Sequence, residues 1–341
     1  MTTVEHAGAP AVEQEGTDPL LKVSELVVDF PTKDGVVQAV SKVSFDLRQG
    51  ETLSIVGESG SGKSTIAKAV MQLVRYQSGV VELDGQDLAG LSRKKLRETR
   101  PELQMIFQDP IASLNPRRVV EKIVGEGLNI WPHKVQESID ADVDKLLLEV
   151  GMKPDVVRGR KAGEFSGGQC QRLAIARVLA LKPRVVVCDE PVSALDVSVQ
   201  AQILNLLRRM RLEYGLTMLF ISHDLSVVRN ISDRVLVMYL GKVCEIADTA
   251  TLFDTPAHPY TQLLLESVPR AGQAQAAPRR EANKPVNELP SPLNPPSGCR
   301  FRTRCPLATD RCAQEEPPLR ELAGRTVACH HAEKALTVGA A

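Results

Sequence analysis

The chain has 341 residues, enough for two domains or for one large domain with an appendage. Its 42 Lys and Arg equal its 42 Asp and Glu, and a net charge of zero gives no support for a dominantly nucleic-acid-binding protein. No apolar run approaches the ~20 residues of a spanning helix. The first residues, M-T-T-V-E-H-A-G-A-P, lack the charged-then-apolar leader of a secreted chain. The expected location is therefore the cytoplasm, with docking on a membrane protein still open.

Residues 1 to 19 are polar and rich in Gly, Pro and Glu, and are predicted to be unordered. Leu20 to Phe30 and Val36 to Leu47 alternate as strands around a Pro31–Gly35 turn. Gln49-Gly50 turns into a buried strand, Thr52 to Val56, and Ile66 to Val74 has helical spacing. Gly79 to Leu83 reads as a further strand before an Asp84-Gly85 turn. From Ser92 to about Glu164 the pattern is mostly helical, interrupted by the apolar stretch Leu103 to Phe107. Asp140 to Val150 is its clearest amphipathic helix, stopped at Gly151. Helix and strand then alternate. Gln169 to Leu181, Val197 to Tyr214 and Leu225 to Ile231 are helical, and Arg184 to Cys188, Thr217 to Ile221 and Arg234 to Tyr239 are strands. Such alternation predicts a mainly parallel sheet covered on both faces. Residues 271 to 297 hold six prolines and read as a semi-extended linker.

Between the third strand and the first helix, Gly57 to Thr65 reads G-E-S-G-S-G-K-S-T. It fits G-x-x-x-x-G-K-[ST] in the strand–loop–helix context that a phosphate-binding loop needs. Glycines let several backbone N–H groups wrap one phosphate chain, and the helix start favours the same anion. Gly57, Ser59, Gly60, Ser61, Gly62, Lys63, Ser64 and Thr65 are the candidate contacts. Lys63 is placed to neutralise the β and γ phosphates and the Ser64 hydroxyl to ligate Mg²⁺.

Five stretches follow: Phe107-Gln108-Asp109-Pro110, Phe165-Ser166-Gly167-Gly168-Gln169, Val185 to Glu190, Ser193-Ala194-Leu195-Asp196, and Ser222-His223-Asp224. Asp189 and Glu190 end an apolar strand, where open α/β sheets bind ligands. Strand alternation aims them in different directions, so one carboxylate can face a metal and the other a water. Ser166 to Gln169 at a helix start is a second anion site by the dipole argument.

In this order and spacing, the set resembles the ATP-binding cassette (ABC) ATPases over residues 20 to 270, with Phe165 where Leu is commoner in the signature stretch. The resemblance implies an α/β P-loop NTPase fold: a mixed sheet with a RecA-like core, an antiparallel β subdomain, and a helical subdomain at about 92–164. It assigns Asp189 to Mg²⁺ and Glu190 to polarising water. Gln108 would bridge metal and water, and His223 would donate to the γ phosphate. Ser166, Gly167, Gly168 and Gln169 would serve the ATP of a second cassette, and the Ser193–Asp196 loop would touch that partner. Phe30 stands where the family stacks adenine, near Val36 to Val40; as plain sequence it reads equally as core.

His258-Pro259-Tyr260-Thr261 before a helix, and Cys299, Cys305, Cys312 and Cys329 beyond the linker, resemble the peptide-importer branch (oligopeptide, dipeptide and nickel-peptide). Their spacing, C-x5-C-x6-C-x16-C, lacks the tight pairs of zinc knuckles. In a reducing cytosol four clustered cysteines suit a metal site better than two disulfides. The branch implies a [4Fe–4S] cluster, with zinc as the alternative and four unligated thiols as a third reading. Arg300, Arg302, Arg304 and Arg311 could offset the charge of four thiolates, and His330 and His331 could substitute as ligands. A small Cys-rich domain is therefore expected at 298–335. Cys170, Cys188 and Cys244 read as core thiols.

The expected function is the ATP-hydrolysing subunit of a peptide importer on the cytoplasmic face of the membrane. Its expected partners are a second cassette (a paralogue in a hetero-pair), two transmembrane permease subunits and a separate substrate-binding protein, with no nucleic acid. The helical region 92–164 would contact the permease, with Gln108 as hinge. A soluble cassette ATPase of DNA repair or chromosome handling is the alternative, although such chains carry long insertions between Gln108 and the signature. A non-catalytic metal-binding regulator would not need Lys63, Asp189, Glu190 and His223 all intact.

Overall fold

The structure, a computed structural model, describes residues 18–266 and 290–339. The predicted unordered N-terminus, up to residue 17, and positions 271–289 of the predicted linker lie outside the described residues. The strands in chain order are β1 (Leu21–Thr32), β2 (Gly35–Leu47), β3 (Thr52–Val56), β4 (Ser78–Leu83), β5 (Gln86–Asp87), β6 (Leu103–Ile106), β7 (Val185–Asp189), β8 (Thr217–Ile221), β9 (Arg234–Tyr239), β10 (Lys242–Asp248), β11 (Arg320–Leu322) and β12 (Arg325–Val327).

Two sheets form. The smaller is antiparallel in the order β2-β1-β4-β5. The larger runs β11-β12-β10-β9-β3-β8-β7-β6. Its strands β6, β7, β8, β3 and β9 are parallel, and β10, β12 and β11 are antiparallel. Strands β3, β7 and β8 are buried at every position. This fits runs such as V-V-V-C-D and T-M-L-F-I, which are apolar throughout rather than alternating.

Period-two geometry divides those strands between two cores. Val186, Cys188, Met218 and Phe220 pack against the helices at 120–128, Ile139–Glu149, Gly167–Leu179 and Val197–Tyr214. Val185, Val187, Leu219 and Ile221 pack on the other side with Ile66, Ala67 and Val70 and with the inner face of the small sheet. The phosphate-loop strand turns Leu53 and Ile55 into the second of these layers. The predicted helices are present, with shifts at their ends. The one after the phosphate loop spans Lys63–Val70, shorter than the pattern suggested. The chain reverses at Gln72, φ 53°, to enter β4. Within 92–164, β6 belongs to the large sheet, and the rest is helix and loop.

The tail departs from the expected separate domain. Strand β10, which the sequence reading missed, would leave an open edge; β12 covers it through Glu245↔Val327 and Ile246↔Thr326. Arg325 reaches inward to the buried Glu245 at 3.5 Å and to Thr255. Phe301 completes an aromatic group with Tyr239 and Tyr260, with ring centroids 4.7–5.3 Å apart. Cys299 and Cys305 of the tail pack against this core beside Cys244. Cys170, Cys188 and Cys244 are buried, as predicted.

Beside Phe301 sits His258, wholly enclosed. Its Nδ1 accepts the Tyr260 N–H at 3.0 Å. Burial pushes its pKa down to about 4, so it folds as neutral imidazole. The unfolded chain binds a proton there near pH 6.5 and the folded chain does not. Stability from this residue is therefore present above about pH 6.5 and lost as pH falls toward about 4. The total loss across that window is at most about 3 kcal/mol. Thermal unfolding of H258N, which keeps a polar side chain without a titration, should lack this component. The wild-type-minus-variant difference between pH 7 and pH 5 measures it, and a flat difference removes His258 as its source.

Candidate nucleotide hydrolysis site

The phosphate loop lies between the two sheets. A Cβ at Gly57 would come within 2.2 Å of the Met238 carbonyl oxygen on β9, and one at Gly62 within 2.2 Å of the Ala39 carbonyl oxygen on β2. Both glycines also have positive φ, 153° and 101°. Only glycine lets the backbone pass this close in this conformation. Gly62 then caps the Lys63–Val70 helix in a left-handed conformation. Lys63 turns inward and its Nζ donates to the Gly57 and Glu58 carbonyls at 2.8 and 3.0 Å, with Ser61 Oγ at 3.5 Å. Burial lowers its pKa, while Glu190, Asp189 and Glu58 act the other way. Three nearby carboxylates thus hold the charge that a triphosphate would meet.

At the end of β7 the two carboxylates separate as strand geometry predicts. Asp189 is buried, and its Oδ1 accepts the Ser64 hydroxyl at 2.7 Å. Burial raises its pKa, the Ser64 hydrogen bond lowers it, and neighbouring Glu190 raises it further. A paired hydroxyl and buried carboxylate are hard oxygen donors, the chemistry that Mg²⁺ takes. Ser64 and Asp189 fit it.

Glu190 points elsewhere. Its φ of 46° is unusual for a residue with a side chain. Its N–H donates to the Ile221 carbonyl at 3.0 Å, and its carbonyl accepts the Ser193 hydroxyl at 3.1 Å. The carboxylate accepts Gln108 Nε2 at 3.0 Å on one oxygen and lies 3.3 Å from His223 Nδ1 on the other. Its side chain is 14% exposed and that of His223 59%. Gln108, Glu190 and His223 come from the ends of three different strands, β6, β7 and β8, and meet at one point.

Ser166 caps the Gly167–Leu179 helix in a reciprocal pair with Gln169, at 3.4 and 3.0 Å. Ser166 and Gln169 stay exposed, while Gly167 and Gly168 abut Leu195 and Val199, where a Cβ at Gly168 would be 2.5 Å from Val199. Asp196 caps the Val197–Tyr214 helix through Val199 N–H at 3.0 Å and Ser198 Oγ at 2.7 Å. The signature and the Ser193–Asp196 loop are therefore one surface. Phe30 pairs with Val37 in the β1–β2 hairpin and is 38% exposed, which removes the core reading. Val36 is exposed beside it and Val40 is buried.

The four tail cysteines share one neighbourhood. Cys299 N–H donates to the Cys312 carbonyl at 2.8 Å. Burial raises Cys305 to about 11 and Cys329 to about 12, with the other tail thiols adding to both. Burial also raises Cys299. As a donor set, four thiols suit a soft metal. As an arrangement they do not close on one: among the described residues no three His, Cys, Asp or Glu are placed to hold a metal ion. The predicted charge partners are also engaged elsewhere. Arg300 reaches Leu240 O, Gln38 and Ser41, Arg302 reaches Ser297, Arg304 reaches Glu58, and Arg311 reaches Glu315. Arg302 also acts on one tail thiol, Cys299, whose pKa it lowers against the effect of burial. His330 pairs with the Glu315 carbonyl and His331 with Thr309.

If Glu190 is the group that orients water, Glu190→Gln should retain nucleotide binding and lose about 100-fold or more in turnover. Asp189→Asn should instead weaken the dependence on Mg²⁺. Steady-state hydrolysis over a Mg²⁺ titration separates the two, and unchanged turnover in E190Q rejects the assignment.

A family model described as "ABC transporter" matches residues 40–193, and one described as "Oligopeptide/dipeptide transporter, C-terminal region" matches 244–312. The chain is 47% identical over 324 residues to the oligopeptide transport ATP-binding protein OppF of Salmonella typhimurium, covering 91% of this chain and 95% of that one. It is 50% identical to the putative oligopeptide transport ATP-binding protein YkfD of Bacillus subtilis, covering 92% and 95%. Among solved structures, cbiO1 from Clostridium perfringens, part of the ABC transporter complex cbiONQ, is 30% identical with a TM-score of 0.60, covering 70% of this chain and 91% of that one. The ATP-binding cassette MJ0796, a dimeric post-hydrolysis structure bound to ADP and Pi, is 27% identical with a TM-score of 0.61, covering 67% and 98%. The relatives from Salmonella and Bacillus carry transport descriptions, which leaves the DNA-handling alternative without support. With the Asp189–Ser64 pair and the Gln108–Glu190–His223 group in place on that fold, this chain belongs to the ATP-binding cassette transporter family and is an ATPase of its oligopeptide branch.

Proposed function

We propose that this chain hydrolyses ATP to drive peptide uptake through separate permease subunits. The observation that carries the reading is the convergence of Gln108, Glu190 and His223 on one point, in a chain whose tail matches the oligopeptide/dipeptide transporter region. Phosphoryl transfer asks mainly for positioning and charge neutralisation. The phosphate loop and Lys63 hold the phosphates of ATP. Ser64 and Asp189 supply oxygen donors for Mg²⁺, which when bound neutralises charge on the β and γ phosphates. Glu190 orients the attacking water, steadied by Gln108. His223 places a hydrogen-bond donor beside the same point.

The exposed signature surface supports pairing with a second cassette, each chain's Ser166 to Gln169 facing its neighbour's ATP. A paralogue is the expected neighbour, so the active unit is a hetero-pair on two permease subunits, fed by a separate substrate-binding protein. Among the described residues no helix is long and apolar enough to cross a membrane. The chain is then a peripheral subunit on the cytoplasmic face of the inner membrane. Phe107 and Ile111 flank Gln108 with exposed apolar side chains, Ile111 at 51%, and they suit permease contact. Ile111→Asp should abolish co-purification with the permease and stop peptide uptake while the isolated chain keeps its ATPase activity. Retained uptake rejects that surface.

The finer reading of the tail is a thiolate-held metal on Cys299, Cys305, Cys312 and Cys329, a [4Fe–4S] cluster or zinc; its support is the donor chemistry alone. Anaerobically purified chain should contain about four iron atoms per molecule with broad visible absorbance. Zinc alone rejects the cluster, and an absence of both metals rejects the site.

A further inference from the structure

The phosphate loop contains a carboxylate that the hydrolysis reaction does not explain. Glu58 follows Gly57 directly, and its negative charge lies in the loop that receives the triphosphate. Its effect extends to Lys63, on whose pKa burial acts first and Glu58 among the opposing groups. Unpaired, such a carboxylate would repel the phosphates.

It is not unpaired. Arg304, between Cys299 and Cys305 in the tail, donates to both Glu58 oxygens, at 2.8 and 3.0 Å. This two-bond fork is the strong geometry for a guanidinium and a carboxylate. The Arg304 side chain is only 14% exposed. Its guanidinium lies 5.7 Å from the Tyr239 ring centre and 5.9 Å from that of Phe301, and also reaches Tyr239 Oη at 3.4 Å. The Glu58 N–H donates to Tyr260 Oη at 2.9 Å. Both the backbone and the side chain of this one loop residue are therefore held from the C-terminal part of the chain.

A second path joins the same elements. Arg300 holds Leu240 O, Gln38 and Ser41. The adjoining Gly241 N–H donates to Ser61 O in the phosphate loop at 2.9 Å. An appendage that only filled a sheet edge would not need two arginines aimed at this loop and its support.

We propose that Arg304 is a positioning residue for ATP binding: it cancels the charge of Glu58 and fixes the entry of the phosphate loop, so that nucleotide affinity depends on the docked tail. The proposal rests on ATP being the ligand of this loop. It concerns affinity and leaves the Gln108–Glu190–His223 group to set turnover.

The test is the KM and kcat of MgATP hydrolysis by the full chain in four forms besides the wild type. R304M keeps apolar contact with Tyr239 and Phe301 and removes the charge. Its KM should rise about tenfold, with kcat changed less than about twofold. R304K should fall between R304M and wild type, because it keeps the charge and loses the fork. R304M/E58Q removes both charges and should bind ATP better than R304M alone. E58Q alone leaves the guanidinium facing the loop and should lower KM, a readout available even if R304M fails to fold. An unchanged KM in R304M, an R304M/E58Q variant no better than R304M, or a raised KM in E58Q each overturns the proposal; a merely structural ion pair would be harmed by E58Q alone, not improved. A wild-type chain without MgATP hydrolysis would instead overturn the ATPase reading itself.

Discussion

Two backbone carbonyls, Met238 O on β9 and Ala39 O on β2, define the space in which the phosphate loop runs. They come from different sheets, so the loop takes its shape only when the small antiparallel sheet has docked on the large one. The apolar layer between the sheets, built from Leu53, Ile55, Ile66, Val187 and Ile221 with Val28, Val40 and Val43, brings that docking about. Gly57 and Gly62 are required because the gap left by the two carbonyls has no room for a side chain. Lys63, Ser64 and the helix behind them inherit their directions from this squeeze.

The second constraint lies at Glu190. A left-handed conformation at a residue with a side chain costs about 1–3 kcal/mol. Here the backbone is held in place by Ile221 O and Ser193 Oγ. What the strain provides is direction. Asp189 continues the strand and points at Ser64, whereas Glu190 leaves it and meets Gln108 and His223. Two adjacent carboxylates thereby take different partners at the same edge of the sheet.

The tail extends this machinery. Strand β12 covers the edge of β10, and Arg325 neutralises the buried Glu245. Phe301 packs on Tyr239 and Tyr260, which also contact Arg304 and Glu58. A region that composition marks as a cysteine-bearing appendage is instead continuous with the main core and touches the phosphate loop.

The local motifs were legible because each depends on residues close in sequence. Gly57 to Thr65 identifies itself by glycine spacing and by the strand and helix around it. Asp189 and Glu190 are legible from strand alternation, and Ser166 as the start of the helix it opens, whereas Asp196 read only as part of a loop. Strand β10 was missed because V-C-E-I-A follows β9 after only a two-residue turn and carries a buried glutamate, Glu245, that breaks its apolar pattern. The roles expected of Arg300, Arg304 and Arg311 were wrong for a different reason. Proximity in sequence to the cysteines suggested the thiols as partners, whereas the fold brings Glu58, Gln38 and Ser41 from the first sixty residues to two of them, and Glu315 from the next helical turn to the third.

The amino-acid order by itself determined the strand–loop–helix phosphate site and the alternating α/β body, since these follow from backbone periodicity and short-range spacing; the roles expected of Asp189 and Glu190 came from the family resemblance. Only the tertiary structure decided that Gln108, Glu190 and His223 share one point and that Phe30 is exposed. It alone made the tail part of the main sheet and paired Arg304 with Glu58. Those outcomes depend on which distant segments the hydrophobic cores press together, and residues 246 positions apart leave no local signal of their contact.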